Sequence, residues 1–261
     1  MSIRAIMSGI LMPSFRLILA PFSGFRMLLI KVCILLEEKR NPDESLRWLF
    51  EVHAFVEEWI DRQAIAWGNG VHMKHHVMEG IHSFFYERIP ENATVLDIGC
   101  GGGALAHSIV HNVKGAKVIG IDHNADHIRF AREQFNNSNL RFLEGDATCG
   151  LPGESIDVIV MSSVLEHVVD RISLLKKLQN TYHPICFLIR VPTFERHFHA
   201  AMKRHLGMFS YVDRDHKTEY KLAQFYEEMR NAGLYAVSTD IRWGDIWAEC
   251  RSIEAETIIS Q

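Results

Sequence analysis

The residues best placed to do chemistry lie between Thr94 and Gly103. An apolar run carries Asp97 near its end, and glycine follows at 99, 101, 102 and 103. Glycine lets a backbone approach a ligand that any Cβ would push away, so acid, glycine turn and following helix describe a nucleotide-cofactor site. Gly99 to Ala104 also fits the spacing of a dinucleotide fingerprint. Three features point elsewhere. A pyrophosphate would meet the Asp97 carboxylate, which instead attracts a cationic ligand. A second acidic turn follows at Glu144-Gly145-Asp146-Ala147, and the chain closes on an antiparallel hairpin pattern. Among the fifteen histidines, His107/His111 and His123/His127 stand at i, i+4, the spacing that puts two ligands on one helix face. Neither pair has the glutamate of an HExxH arrangement, and no metal is expected.

The elements that must hold these residues alternate. Strand-like runs cover Thr94–Ile98, Lys117–Ile121, Leu140–Glu144, Asp157–Met161 and Cys186–Val191. Helix-like runs cover Ala104–Val113, Ala125–Asn136 and Val168–Tyr182. Near-continuous apolar strands alternating with helices predict an α/β fold with a parallel sheet covered on both faces. Pro192 to Thr218, rich in aromatic and basic residues, reads as an insertion over the sheet edge, a lid at about 192–218. A helix over Glu219–Asn231 and a hairpin of Leu234–Arg242 with Ile246–Ala255 complete the pattern, which makes seven strands, mostly parallel. Upstream, helices are expected over Leu46–Ile60 and Val71–Arg88, with Trp67 to Gly70 as a turn. The domain division expected is 1–40 as an apolar basic helical segment, 41–92 as a helical cap, and 93–261 as the core.

Composition narrows the function classes. The 261 residues, 48% of them hydrophobic, suffice for one large domain with an appendage. Residues 1–36 hold Arg4, Arg16, Arg26 and Lys31 and no acid, while the remainder carries 24 basic against 32 acidic side chains. An acidic body disfavours a nucleic-acid partner, because tracking phosphates needs a basic stripe. The N-terminal apolar segment is broken by these charges and by Pro13 and Pro21, so it is too interrupted to span a membrane. It reads either as a helical appendage packed on its own domain or a second subunit, or as an amphipathic segment on an anionic membrane surface. Five scattered cysteines without a CxxC pair point to a reducing compartment, the cytoplasm, with the inner membrane face as a second location.

Taken together, the motifs resemble the class I S-adenosylmethionine-dependent methyltransferases, whose Rossmann-like sheet ends in such a hairpin. Asp97 to Gly103 matches that family's first motif, acid-x-Gly-x-Gly-x-Gly. The resemblance implies cofactor contacts at Asp97, Gly99, Cys100, Gly101 and Gly103. Asp122 matches the acid ending the second strand, about 20 residues on, where a carboxylate can accept both ribose hydroxyls; His123 follows it. Asp146 and Ala147 match the turn bordering adenine, with Asp146 accepting from the exocyclic amine. Ser162 to Val168 resembles the strand-four exit that lines the methionine half of the cofactor. Cys100 is expected to pack against the cofactor. A narrower likeness, Val71 to Met78 followed by Phe84-Phe85, is to bacterial methyltransferases of surface polysaccharide and glycolipid synthesis.

If the acceptor is a hydroxyl, a base must take its proton, and His167 is the first candidate. His72, His75 and His76 could reach the same cavity, or could form a solvated helix face; Lys74 could pair with the cofactor carboxylate. In the lid, His197, His199, His205 and His216 with Phe194, Phe198, Phe209 and Tyr211 stand where an acceptor should enter, or form ordinary lid core. The expected reaction is O-methylation of a small molecule or glycan, lipid-linked in one reading, with S-adenosylhomocysteine as product. A quinone or lipid methyltransferase is the nearest alternative, and a non-catalytic cofactor-binding subunit is another. A homodimer is a further expectation.

Overall fold

A computed structural model describes residues 23–37, 40–150 and 152–253. These divide into two compact units, residues up to Glu58 and residues from Trp59 on. The first holds helix α1, Ser23–Glu37, and most of α2, Pro42–Trp67. Asn41 opens α2, its side chain accepting from the Asp43 amide at 2.9 Å, with Pro42 at the first helical position, where its missing N–H costs nothing. Eight large apolar side chains between Met27 and Leu36 are exposed on α1. No described helix is long and apolar enough to cross a membrane.

The second unit is built on a seven-stranded sheet in the order β3-β2-β1-β4-β5-β7-β6. The strands are β1 Thr94–Ile98, β2 Lys117–Asp122, β3 Leu140–Glu144, β4 Val158–Ser162, β5 Cys186–Pro192, β6 Leu234–Arg242 and β7 Asp245–Ser252. The first five pair in parallel, and β7 runs antiparallel between β5 and β6. This is the mostly parallel sheet with an antiparallel end hairpin expected from the strand pattern. Alternate strand residues feed two apolar layers. Leu96, Ile98, Ile159 and Met161 face one; Val95, Val158, Val160 and Trp247 face the other.

Two short helices, α3 Lys74–Val77 and α4 Ser83–Tyr86, precede β1. The helix predicted over Val71–Arg88 is therefore interrupted. Met78 leaves α3 in extended backbone and Gly80 takes a φ of 75°, which no helix accommodates. What the periodicity detects is burial: Phe84 and Phe85 pack edge-to-face on each other and Phe84 on Trp247. Beyond the strands lie α5 Ala104–Asn112, α6 Ala125–Gln134 and α7 Arg171–Tyr182. Asp170 caps α7 through the Ser173 amide, so that helix starts three residues later than its apolar pattern suggests. The 192–218 segment forms a 3-10 turn at Phe194–Arg196 and helix α8, Phe198–His205, before an irregular return. Helix α9, Leu222–Asn231, leads into the hairpin.

Candidate functional site

The carboxyl ends of β1, β2 and β4 meet at the glycine turn, where open α/β sheets bind ligands. Gly99, Gly101 and Gly103 all have positive φ, at 66°, 53° and 82°. At Gly99 an added Cβ would strike Val164 at 2.6 Å, whereas at Gly101 it would meet nothing within 4 Å. Gly101 therefore borders open space. Asp122 holds the turn in shape: its carboxylate accepts from the Gly101 amide at 2.9 Å and the Asn124 amide at 2.8 Å. Each oxygen keeps a second lone pair for another donor.

Two cavities flank this turn, sharing Gly99, Gly101 and Ser163 as walls. The larger, about 950 Å³, contains Asp122, His123, Asp146, Ala147 and His167. Asp146 is exposed, and hydrogen bonds from Thr148 hold its carboxyl below the usual range. His167 is exposed at the mouth; burial followed by the neighbouring His216 pushes its pKa down. Ser163 stands in the left-handed region at φ 58°, a conformation costing a non-glycine residue about 1–3 kcal/mol. Such strain at the wall between two cavities is a mark of a functional site.

The smaller cavity, about 250 Å³, has a different lining: Asp97, Cys100, Lys74, His75, Ser162 and Arg190 among others. Asp97 is 1% exposed, and its Oδ2 has no hydrogen-bond partner. Burial, with the Asp122 charge second, pushes its pKa up to about 8. An unpartnered buried carboxylate is costly, and a cation or donor in the cavity would relieve it. Lys74 is pushed below its ordinary pKa by burial and then by the Arg190 charge. Burial also drives the Cys100 thiol upward, so it is an inert wall.

The capping-segment histidines divide. His75 lines the cavity and bonds ring to ring with His82 at 2.9 Å; burial lowers the two to about 3 and about 4, so both are neutral at pH 7. His72 also lines the cavity but accepts from the Lys74 amide at 3.0 Å, while His76 packs against Trp67. In the lid, His197 caps α8 through the His199 amide, Phe194 lies under Arg204, and Phe209 meets Tyr211 edge to face. None of those residues, nor Phe198 or His205, lines either cavity. His107 and His111 spend their pairing on each other: the rings are 4.1 Å apart, His107 stacks on Phe135, and His111 bonds the His107 carbonyl.

Arg190 is not anticipated at the site from the sequence, and Ser163 and Glu166, inside the Ser162–Val168 stretch, are given no individual role by it. Arg190 projects from the otherwise apolar β5, donates to Asp245 at 2.9 Å and lies over the Trp247 ring. One charge inside a buried strand is the signal that could have found it. Ser163 is the strained wall. Glu166 is 1% exposed with Oε2 unpartnered, and burial pushes its carboxyl up to about 7.

A family model described as a methyltransferase domain matches residues 89–241. The chain belongs to this family. S-adenosylmethionine is accordingly its cofactor. Among curated relatives, trans-aconitate 2-methyltransferase of Azoarcus sp. (strain BH72) is 29% identical over 37% of this chain and 38% of its own length. Ubiquinone biosynthesis O-methyltransferase of Acinetobacter baylyi is 34% identical over 34% of this chain and 39% of its own. The matches thus span well under half of those relatives. Magnesium protoporphyrin IX methyltransferase from Synechocystis, solved with bound SAH, shares the fold with a TM-score of 0.53 at 17% identity, over 68% of this chain and 83% of that one. A putative methyltransferase of Haloferax volcanii, solved with its Trm112 activator, shares it at 0.54 and 20% identity, over 69% and 93%.

Proposed function

We propose that this chain methylates an oxygen of a small molecule or glycan, with S-adenosylmethionine as donor. The observation that carries the donor site is Asp97: a buried carboxylate with an unpartnered oxygen, beside a glycine turn that leaves open space. A ligand with cationic groups suits that position, and an anionic pyrophosphate does not. When bound, the donor supplies a methyl group on a sulfonium, a leaving group that needs no acid from the protein.

The chain's residues then bind, orient and exclude water. Asp122 accepts from the ribose hydroxyls while clamping the turn, and His123 flanks it. Asp146 and Ala147 border the adenine. Gly99, Gly101 and Gly103 let the backbone close around the donor, with Cys100 and Ser162 packing beside it. Asp97 meets the donor's amino group and Lys74 its carboxylate. In-line displacement needs alignment more than acid–base work, and well-aligned groups supply about 7–11 kcal/mol of such barriers. His167, exposed at the mouth of the larger cavity with its pKa lowered, is the base we assign to the acceptor hydroxyl.

The ubiquinone relative favours a hydroxylated quinone precursor as a second acceptor class, and the exposed apolar side chains of α1 suit an acceptor held at a membrane. We place that helix on anionic lipid, at the inner membrane surface of the cytoplasm. Calorimetry of the full chain with S-adenosylmethionine and with NAD tests the donor. Affinity for NAD alone would overturn it. Formation of S-adenosylhomocysteine with carboxylate, phenol and glycan acceptors then separates the acceptor classes.

A further inference from the structure

We propose that Glu166, His167 and His216 bind one divalent transition-metal cation, which holds an oxygen of the acceptor beside the donor cavity. One ligand atom from each of the three lies within 4.8 Å of the others, close enough to share a single ion. Neighbouring spacing in the sequence cannot create this cluster. Glu166 and His167 sit on the 3-10 turn after β4, and His216 arrives from the far end of the lid. The Glu166 carbonyl accepts from the Lys217 amide at 2.7 Å and the Thr218 amide at 3.4 Å, which pins the lid return onto that turn. The two imidazoles then meet edge to face, with centroids 4.7 Å apart.

Two independent features point to a ligand. Glu166 is 1% exposed, yet its Oε2 has no partner, so the carboxylate is buried without the hydrogen bonds that normally justify burial. His216 is oriented from behind: its Nδ1 lies 3.0 Å from Oε1 of Glu219. Glu219 is itself buried, accepting from Arg196 and from the Val212 amide, each at 2.6 Å. A carboxylate that accepts a hydrogen bond from Nδ1–H leaves the Nε2 lone pair free, and this is how metal-binding imidazoles are held. Two imidazoles and one carboxylate suit zinc, manganese, iron or cobalt better than calcium. Three protein ligands leave positions open for an acceptor oxygen. His167 lines the larger cavity, so those positions border the donor. With the cation bound, His167 is a ligand and no longer a free base. The cation takes over that role by lowering the pKa of the acceptor hydroxyl it holds. This role as acceptor holder rests on the methyl-transfer reading; the site itself does not.

The test strips the full-length protein with a chelator and titrates Co2+, reading visible absorption and, in parallel, heat. One equivalent with ligand-field bands is expected. Glu166→Gln and His216→Ala should each weaken binding by at least about tenfold. Glu219→Gln, which touches no metal, should weaken it by about 10–100-fold. The double variant H107A/H111A should change nothing. If His216→Ala fails to fold, His167→Ala at an exposed position serves instead. Absence of saturable binding, affinity unchanged by these ligand substitutions, or loss in H107A/H111A would overturn the site. S-adenosylmethionine titrated into the same metal-free protein separates the two readings: donor binding without Co2+ binding removes the metal alone, and the reverse removes the donor alone.

Discussion

The two cavities at the glycine turn present carboxylates in opposite states. In the larger one, Asp122 has both oxygens engaged by backbone amides. In the smaller one, Asp97 has an oxygen with no partner at all. One acid is built into the scaffold and supports it with or without a ligand. The other is left for a ligand to complete. The difference suggests that the adenosine end of the donor is met by a preformed surface, while the amino-acid end brings a missing counterpart.

Substitutions and a truncated ligand can break this contrast. 5′-Methylthioadenosine carries the nucleoside but no amino-acid group. The largest effect is expected for Asp122→Ala, which removes a ribose acceptor and leaves the Gly101 and Asn124 amides unpaired. An unpaired amide costs at most about 1–3 kcal/mol when buried and less in this half-buried turn. With the ribose acceptor also gone, affinity for donor and for methylthioadenosine should both fall by about a hundredfold, and the melting temperature should drop. A loss confined to one of the two ligands would collapse the contrast.

Next comes Asp97→Asn, which should weaken the donor by about 10–100-fold, the worth of a charged hydrogen bond, and leave methylthioadenosine unchanged. Its pH behaviour sharpens the point. The folded pKa, pushed to about 8, lies above the ordinary 3.8. The stability contributed by the protonated form is complete below about 4 and is lost as pH rises through about 8. Without donor, thermal stability of the wild type should therefore decline across that window relative to Asp97→Asn. Donor affinity should rise across the same window as the carboxylate ionises, with proton release measurable by calorimetry in buffers of different ionisation heat.

A smaller effect is expected for Lys74→Met: about tenfold weaker donor binding, again with methylthioadenosine unaffected. Equal weakening of both ligands would show that Lys74 only shapes the wall. The smallest effect concerns the first unit. Leu28→Glu with Leu35→Glu on α1 should abolish sedimentation with anionic liposomes and leave donor affinity within about twofold. Unchanged sedimentation would remove the membrane surface from the account.

What was legible in the sequence follows the same division. Asp97, the glycines, Asp122 and Asp146 lie at the ends of successive strands, so local order along the chain places them, and the parallel sheet follows from the apolar runs. The smaller cavity is assembled across the fold. Arg190 reaches it because β5 pairs with β4, opposite Ser162, and with β7, opposite Trp247. That register is set by the whole sheet and leaves no local trace except a lone charge in an apolar run. Glu166 meets His216 through the lid's return, a contact between segments about 50 residues apart. Periodicity over Val71 to Arg88 recorded which residues are buried and missed the break at Gly80, because an apolar face survives a change of backbone direction. Of the four basic residues read as membrane-seeking, Arg4 and Arg16 lie outside the described residues, and Arg26 and Lys31 lie on α1.

The unpaired oxygen of Asp97 has a consequence outside catalysis. A protein that keeps a buried carboxyl group without a partner until its ligand arrives is least robust when that ligand is scarce. Binding at a hundred times the dissociation constant adds about 2.7 kcal/mol to the folded state, and relief of Asp97 is part of what that binding delivers. The lifetime of the chain in a cell should therefore follow the supply of methyl donor, so that the amount of enzyme, and not only its turnover, tracks one-carbon status.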